Sequence, residues 1–566
     1  MPSKLDDLLQ RKSVTDALTA QVQVKLRMGL ELHQKGLLAQ ARAIYEDILR
    51  SQPEHADSLH LLGLVAAQTG EPRRAIELIG KAIRINPTNA AFHYNYGKAL
   101  HECRQLTAAV ASFDKAIAIR QDYAEAYCNR GVALRELKQL EAAVASCDEA
   151  IALKSDYALA YCNRGVALHE LNQLNAALAS FEKAIAIRPD FAEAYSNRGA
   201  TLRELNQPEA ALASCDRAIA VRKDYPEAHS NRGMVLQELK QLDAAVASYD
   251  KAISIKADHT EAYWNKSLAL LLGGNFDEGW QLFEWRQKLR QDSRRSFPQP
   301  LWRGMDSLQD KVVLLYSEQG LGDAIQFCRY ARSVSRLGGK VILEVPRPLV
   351  GLLHRLEGVR EVLAKGTALP TFHYHCPLLS LPLAFKTNLH TVPDSQAYLR
   401  CDDNKVSRWA TRLGSKTKPR VGIVWSGSPG HKNDHRRSIA LSTLIPYLPR
   451  TLEYVSLQKE VRATDRATLE AHSHIRHFGA ELDDFDDTAA LCELMDVIVS
   501  VDTSVAHLGG ALGKSTWVLL PYSPDWRWLL DRDDSPWYAS MRLYRQDAAC
   551  DWGRVLGTLR QSLEAL

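Results

Sequence analysis

At 566 residues the chain is too long for one hydrophobic core, so two or more folding units are expected. With 46% hydrophobic and 24% charged residues, the composition is that of a globular protein and excludes a disordered or fibrous one. Its 71 basic and 67 acidic residues nearly balance, and a formal net charge of +4 gives no electrostatic case for a nucleic-acid partner or a membrane surface.

The N-terminal segment, residues 1–19, carries Asp6 and Asp7 and lacks the apolar centre of a secretion signal. No run of about 18 apolar residues follows, so no integral membrane segment is expected and the default location is cytoplasmic. The ten cysteines form no CxxC pair. Cys128 and Cys162 stand 34 residues apart, and Cys147 and Cys215 stand 68 apart, which makes them equivalent positions of a repeat. They are read as small buried thiols in a reducing compartment, not as bridges or metal ligands.

Gly29, Gly63, Gly97, Gly131, Gly165, Gly199 and Gly233 recur every 34 residues, with Ser267 at the next place. Twelve residues after each glycine stands an alanine, from Ala41 to Ala245, and four further on usually an apolar residue such as Phe113, Phe181 or Tyr249. Pro53, Pro87 and Pro189 share the closing position. This pattern fits two short antiparallel helices per unit, in which small residues allow close approach and larger ones fill the gap behind. Residues 20–290 thereby resemble the tetratricopeptide repeat (TPR) family, as an α-solenoid of eight units. The last unit carries Gly279 in place of alanine and an aromatic helix with Trp280, Phe283 and Trp285, which is expected to cap the array against the next domain.

Two residues before the glycine position stand Asn95, Asn129, Asn163, Asn197, Asn231 and Asn265. An amide both donates and accepts, so a ladder of them suits the backbone of an extended polypeptide on the concave surface. It equally suits bonds between neighbouring helices that fix repeat stacking. The ladder resembles that of the TPR half of the protein O-GlcNAc transferases, and the resemblance implies a protein or peptide partner in the groove.

The helical period stops over residues 291–310, where Phe297-Pro298-Gln299-Pro300 and Gly304 read as a connector. Beyond it, Val312 to Tyr316, Val341 to Val345, Arg420 to Trp425, Tyr454 to Leu457, Val497 to Val501 and Thr516 to Leu520 are apolar runs of strand length. A helical stretch is expected from Ala324 to Leu337. These alternating elements predict α/β lobes with parallel sheets, a short first lobe over 311–405 and a second over 406–566.

Unusual residues gather where such strands end. Gly320, Leu321, Gly322 and Asp323 follow the first strand, with Asp323 placed either to accept a proton or to cap a helix. After the strand ending at Trp425 come Ser426, the Gly427 to Gly430 turn, His431, Lys432 and Arg437, a set of backbone amides and cations suited to a diphosphate. Asp502, Thr503, Ser504 and His507 follow the strand Val497 to Val501 at the start of a helix.

Together these stretches resemble the heptosyltransferase-like glycosyltransferases, family 9, over roughly residues 311–545. The resemblance implies a GT-B-like pair of Rossmann-type lobes and an inverting transfer with Asp323 as catalytic base. It further implies that Gly320, Gly322, Ser426, Lys432, Arg437, Asp502, Thr503, Ser504 and His507 hold a nucleotide-diphosphate sugar, a co-substrate rather than a cofactor. The enzyme expected is a metal-independent glycosyltransferase, of hexosyl or heptosyl type, acting on a protein held by the TPR groove. The alternatives are a TPR adaptor with an inactive transferase-like domain, or a glycan- or lipid-directed transferase. Asp484-Phe485-Asp486 and Asp531-Arg532-Asp533 both spell Asp-x-Asp, a metal-diphosphate signature. The first stands before a helical run, where acidic residues serve as caps, and no metal site is expected.

Overall fold

The structure, a computed structural model, describes residues 20–289, 295–393, 396–430 and 433–566. It divides into two compact units, residues 1–231 and 232–566.

The first unit is a stack of antiparallel helix pairs such as Ala124–Glu136 with Leu140–Leu153 and Ala158–Glu170 with Leu174–Ile187. The recurrent glycine is explained by its partner sixteen residues on. A Cβ on Gly97 would lie 2.7 Å from the Phe113 ring, and one on Gly131 would lie 2.8 Å from Cys147 Sγ. Real Cβ atoms do not approach so closely, so at these positions the paired helices can come this near only with glycine. The cysteines at 147 and 215 stand where other repeats place Phe113, Phe181 or Tyr249, which accounts for their spacing. Arg104, Lys138, Asn172 and Asn206 all take φ near +60° at the turn between paired helices.

The second unit opens with the last repeats and continues into two wholly parallel sheets. The first sheet has the order β3-β2-β1-β4, from β1 (Val312–Tyr316), β2 (Lys340–Val345), β3 (Val359–Ala364) and β4 (Tyr374–Pro377). The second has the order β10-β9-β8-β5-β6-β7, from β5 (Arg420–Val424), β6 (Glu453–Ser456), β7 (Ile475–His477), β8 (Val497–Val501), β9 (Thr516–Leu520) and β10 (Met541–Arg545). The stretch expected as one helix from Ala324 is two, Leu321–Phe327 and Tyr330–Arg336. They break at Arg329, whose Nε donates to the Gln326 carbonyl at 2.8 Å.

The aromatic helix of the last repeat, Phe276–Phe283, is part of the core of the sheets. Trp280 meets Trp526 edge-on with ring centroids 5.2 Å apart, and its indole N–H donates to the Thr387 carbonyl at 2.9 Å. The connector is tied down as well. The Trp302 N–H donates to the His375 carbonyl at 2.9 Å, and the Trp302 ring is buried.

Candidate functional site

In open parallel sheets ligands bind beyond the carboxyl ends of strands, where the strand order reverses. Here that describes the loops after β1, β5 and β8, the three singled out by their residues. The structure brings them together. A Cβ on Gly322 would lie 2.9 Å from His507 Cδ2, so helix Leu321–Phe327 and helix Ser504–Ala511 pack with almost no gap at that glycine. Arg437 Nη1 donates to the Asp502 carbonyl at 2.8 Å, which joins the loop after β5 to the loop after β8. Repeat residues border the loops after β5 and β9. Glu238 pairs with Arg436 at 2.8 Å, and Lys240 Nζ stands 4.1 Å from the centroid of the Tyr522 ring.

Each predicted residue has a definite environment. Asp323 Oδ2 accepts from the Gly320 N–H at 2.8 Å, and Oδ1 pairs with Arg527. The carboxylate therefore acts as the N3 member of a capping arrangement. Ser426 is buried, and both its N–H and its hydroxyl are bonded to Gln458, at 3.0 and 3.1 Å. Thr503 shares a 3.1 Å hydrogen bond with Ser500, and Ser504 opens the helix beside Gly322. His431 and Lys432 lie outside the described residues.

Three arginines set the electrostatics. Arg527 reaches Asp323, Asp525 at 2.8 Å and the Gln326 side chain at 2.6 Å. Burial works against its charge, but Asp525, Asp323 and Asp502 more than offset that and hold its pKa above the usual value. Burial, with Arg527, Arg329 and Arg437 around it, drives the pKa of His507 well below the ordinary histidine range, so the ring is neutral. Its Nδ1 is hydrogen-bonded to the Tyr538 hydroxyl at 2.9 Å. Arg527 was not singled out from the sequence, where it stands as one charge among the tryptophans of the 526–528 stretch.

Asp502 is pushed up to about 6 by burial and by the charge of Asp525, against the pull of Arg437. A carboxyl whose folded pKa is raised favours folding when protonated, so this contribution is present at low pH and is lost as pH rises through about 6. Asp502→Asn is therefore expected to raise the thermal midpoint at pH 7 by ~1–3 °C while changing it little near pH 4. Calorimetry across that range checks it, and a midpoint lowered at both ends would show that Asp502 is held as an anion.

The carboxylates of the first Asp-x-Asp stretch are engaged locally. Asp484 caps helix Phe485–Glu493 by accepting from the Asp486 and Asp487 N–H groups, while Asp486 pairs with Arg355 at 3.0 Å and Asp487 with Lys405 at 3.0 Å. In the second stretch Arg532 pairs with Asp534 at 2.6 Å.

The asparagines of the first unit are half-buried, and each amide nitrogen donates to the preceding repeat. Asn95 meets His60 at 2.9 Å, Asn129 the Tyr94 hydroxyl at 2.8 Å, and Asn231 the Ser196 hydroxyl at 2.9 Å. Asn163 and Asn197 meet the sulfurs of Cys128 and Cys162 at 3.3 and 3.9 Å. Asn265, in the second unit, is likewise half-buried. The ladder thus takes part in stacking, as one of its two readings supposed. Asn129→Ala and Asn231→Ala should each destabilise the array by ~0.5–1.5 kcal/mol, and Asn197→Ala, with its long sulfur contact, by much less. Equal, near-zero effects in chemical denaturation would instead mark amides that serve only an open groove.

Comparison with known proteins bears on the repeats first. Models described as TPR repeat and tetratricopeptide repeat match residues 97–137, 133–172, 167–204, 191–224 and 226–259. One described as anaphase-promoting complex, cyclosome, subunit 3 matches residues 34–116. The chain is 27% identical over 323 residues to Protein FlbA of Caulobacter vibrioides, covering 52% of this chain and 53% of FlbA. It therefore spans about half the length of the curated relative it matches. Among solved structures it is similar to the APC/C hetero-tetramer Cut9–Hcn1, at 16% identity and TM-score 0.39 over 43% of this chain and 48% of that one. A tetratricopeptide repeat protein from Parabacteroides merdae matches at 15% identity and TM-score 0.39, over 44% of this chain and 98% of that one. YrrB, described as a TPR protein with an unusual peptide-binding site, matches at 26% identity and TM-score 0.26, over 32% and 93%. Among the described residues no helix is long and apolar enough to cross a membrane. The N-terminal part of this chain, ahead of its two parallel sheets, is a tetratricopeptide repeat array.

Proposed function

We propose that the two sheets form a GT-B-like, inverting, metal-independent glycosyltransferase that moves a sugar from a nucleotide-diphosphate donor to a protein held by the repeat array. The observation that carries this reading is the convergence of the loops after β1, β5 and β8 through the Gly322–His507 contact and the Arg437–Asp502 bond. Asp323 takes the proton of the attacking hydroxyl as the new bond forms at the anomeric carbon. The bond to the diphosphate breaks on the opposite face. Arg437 and the amino end of helix Ser504–Ala511 would stabilise the charge that collects on the departing diphosphate. Local capping and ion pairing of the Asp484 to Asp487 carboxylates leave that stretch committed within the protein and favour a reaction without a metal there.

The repeats themselves point to protein interaction or scaffolding. A second reading, a TPR scaffold with an inactive domain, is favoured by the engagement of both Asp323 oxygens, one with the Gly320 N–H and one with Arg527. The two are separated by incubating the purified full chain with UDP-, GDP-, ADP- and dTDP-sugars and following nucleoside diphosphate release. Release from any donor supports the transferase. Neither release nor binding, across the panel, leaves the scaffold.

A further inference from the structure

Arg527 belongs to the short helical turn Trp526–Trp528, after β9, between two buried tryptophans that anchor its backbone. Its side chain leaves that lobe and grips the helix that follows β1 at two points one turn apart. Nη2 holds Asp323 Oδ1, and Nε donates to Gln326 Oε1 at 2.6 Å. Nη1 is held from behind by Asp525 at 2.8 Å. Every nitrogen of the guanidinium thus has a partner within the protein, and the residue is only 9% exposed. A planar cation with fixed donor directions transmits orientation in a way that a flexible ammonium does not.

We infer that Arg527 is a positioning residue for the proposed transfer, fixing the direction of the Asp323 carboxylate from the opposite lobe. The inference rests on the transferase reading. With the Gly320 N–H on one oxygen and Arg527 on the other, the carboxylate is held at two points, and its remaining lone pairs face a set direction. Since Arg527 stands on the lobe that carries Asp502 and Arg437, the geometry of the base is set by the side expected to hold the donor. Three of its five N–H groups are committed to Asp323, Gln326 and Asp525 and the residue is buried, so its loss should act on the chemical step more than on donor affinity.

The experiment uses the full chain and the donor found to react in the nucleotide-sugar panel. Arg527→Lys keeps the charge but can meet only one of the three partners, and Arg527→Gln removes the charge. Arg527→Lys is expected to lower kcat ~10-fold and Arg527→Gln ~100-fold, with the donor KM within ~3-fold of the wild type in both. The lysine variant should therefore recover part of what glutamine loses. Where the glutamine variant does not fold, the lysine variant decides alone. An unchanged kcat in folded Arg527→Lys, or a loss confined to KM, overturns the positioning role and leaves the transferase standing. A wild-type chain that turns over no donor removes both.

Discussion

Replacing Asp323 by asparagine is expected to lower the proposed sugar transfer by ~100-fold or more while leaving nucleoside diphosphate affinity within ~3-fold of the wild type. The amide keeps the shape of the side chain and can still accept from the Gly320 N–H, so the start of helix Leu321–Phe327 should survive. What is lost is the ability to take a proton. The amide is also a poorer partner for Arg527, which strengthens the loss and does not restore the base. Single-turnover transfer, alongside calorimetric titration with UDP, GDP and ADP, separates the two quantities. Full turnover in the variant would reduce Asp323 to a helix cap. A parallel loss of affinity and rate would mean that the substitution had disturbed the donor loops instead.

The second large effect is expected at Arg329, which is fully buried and whose guanidinium is met by carbonyls and a hydroxyl. Its guanidinium donates to the carbonyls of Gln326 at 2.8 Å, Trp537 at 2.7 Å and Pro393 at 3.3 Å, and to the Tyr398 hydroxyl at 3.1 Å. It also faces the rings of Tyr398 and Tyr538, with centroids 4.5 and 4.7 Å away. These partners come from the first sheet's helix, the crossover between the sheets and the segment before β10. Arg329→Met fills similar volume but leaves three carbonyls without their donor in the core, which should cost ~3–5 kcal/mol. Denaturant unfolding followed by tryptophan fluorescence reads it. A loss below ~1 kcal/mol would show that the carbonyls find other donors.

Much of this architecture was legible because it is local or periodic. The glycine at each 34-residue step and the bulky group facing it are two sides of one steric constraint, so their register alone gives the helix pairs. Apolar runs such as Val497 to Val501 read directly as buried strands, and all five of its residues are buried. By contrast β3 presents an exposed face and β4 and β7 have only four and three residues, too short for a period to show. The three loops were visible from their glycines and charges. The links among them were not, since Arg527 and Asp323 stand 204 positions apart and nothing local in either stretch requires the other. Asp323 shows the same limit from the other side. Its position before a helix suggested both a base and a cap, and the Gly320 bond shows that capping is one of its roles.

The aromatic helix Phe276–Phe283 has a consequence for how such a protein can arise and change. A module that folds around its own core can be cut out and joined to new neighbours at a linker. Here Phe276, Trp280 and Phe283 belong to the same buried cluster as Trp526 and Trp537, so a recombination at residues 291–310 would divide one core into two wet faces. The last repeat and the sheets must therefore be inherited together. Variation in the number of repeats is free only further back along the array, where each unit touches units like itself.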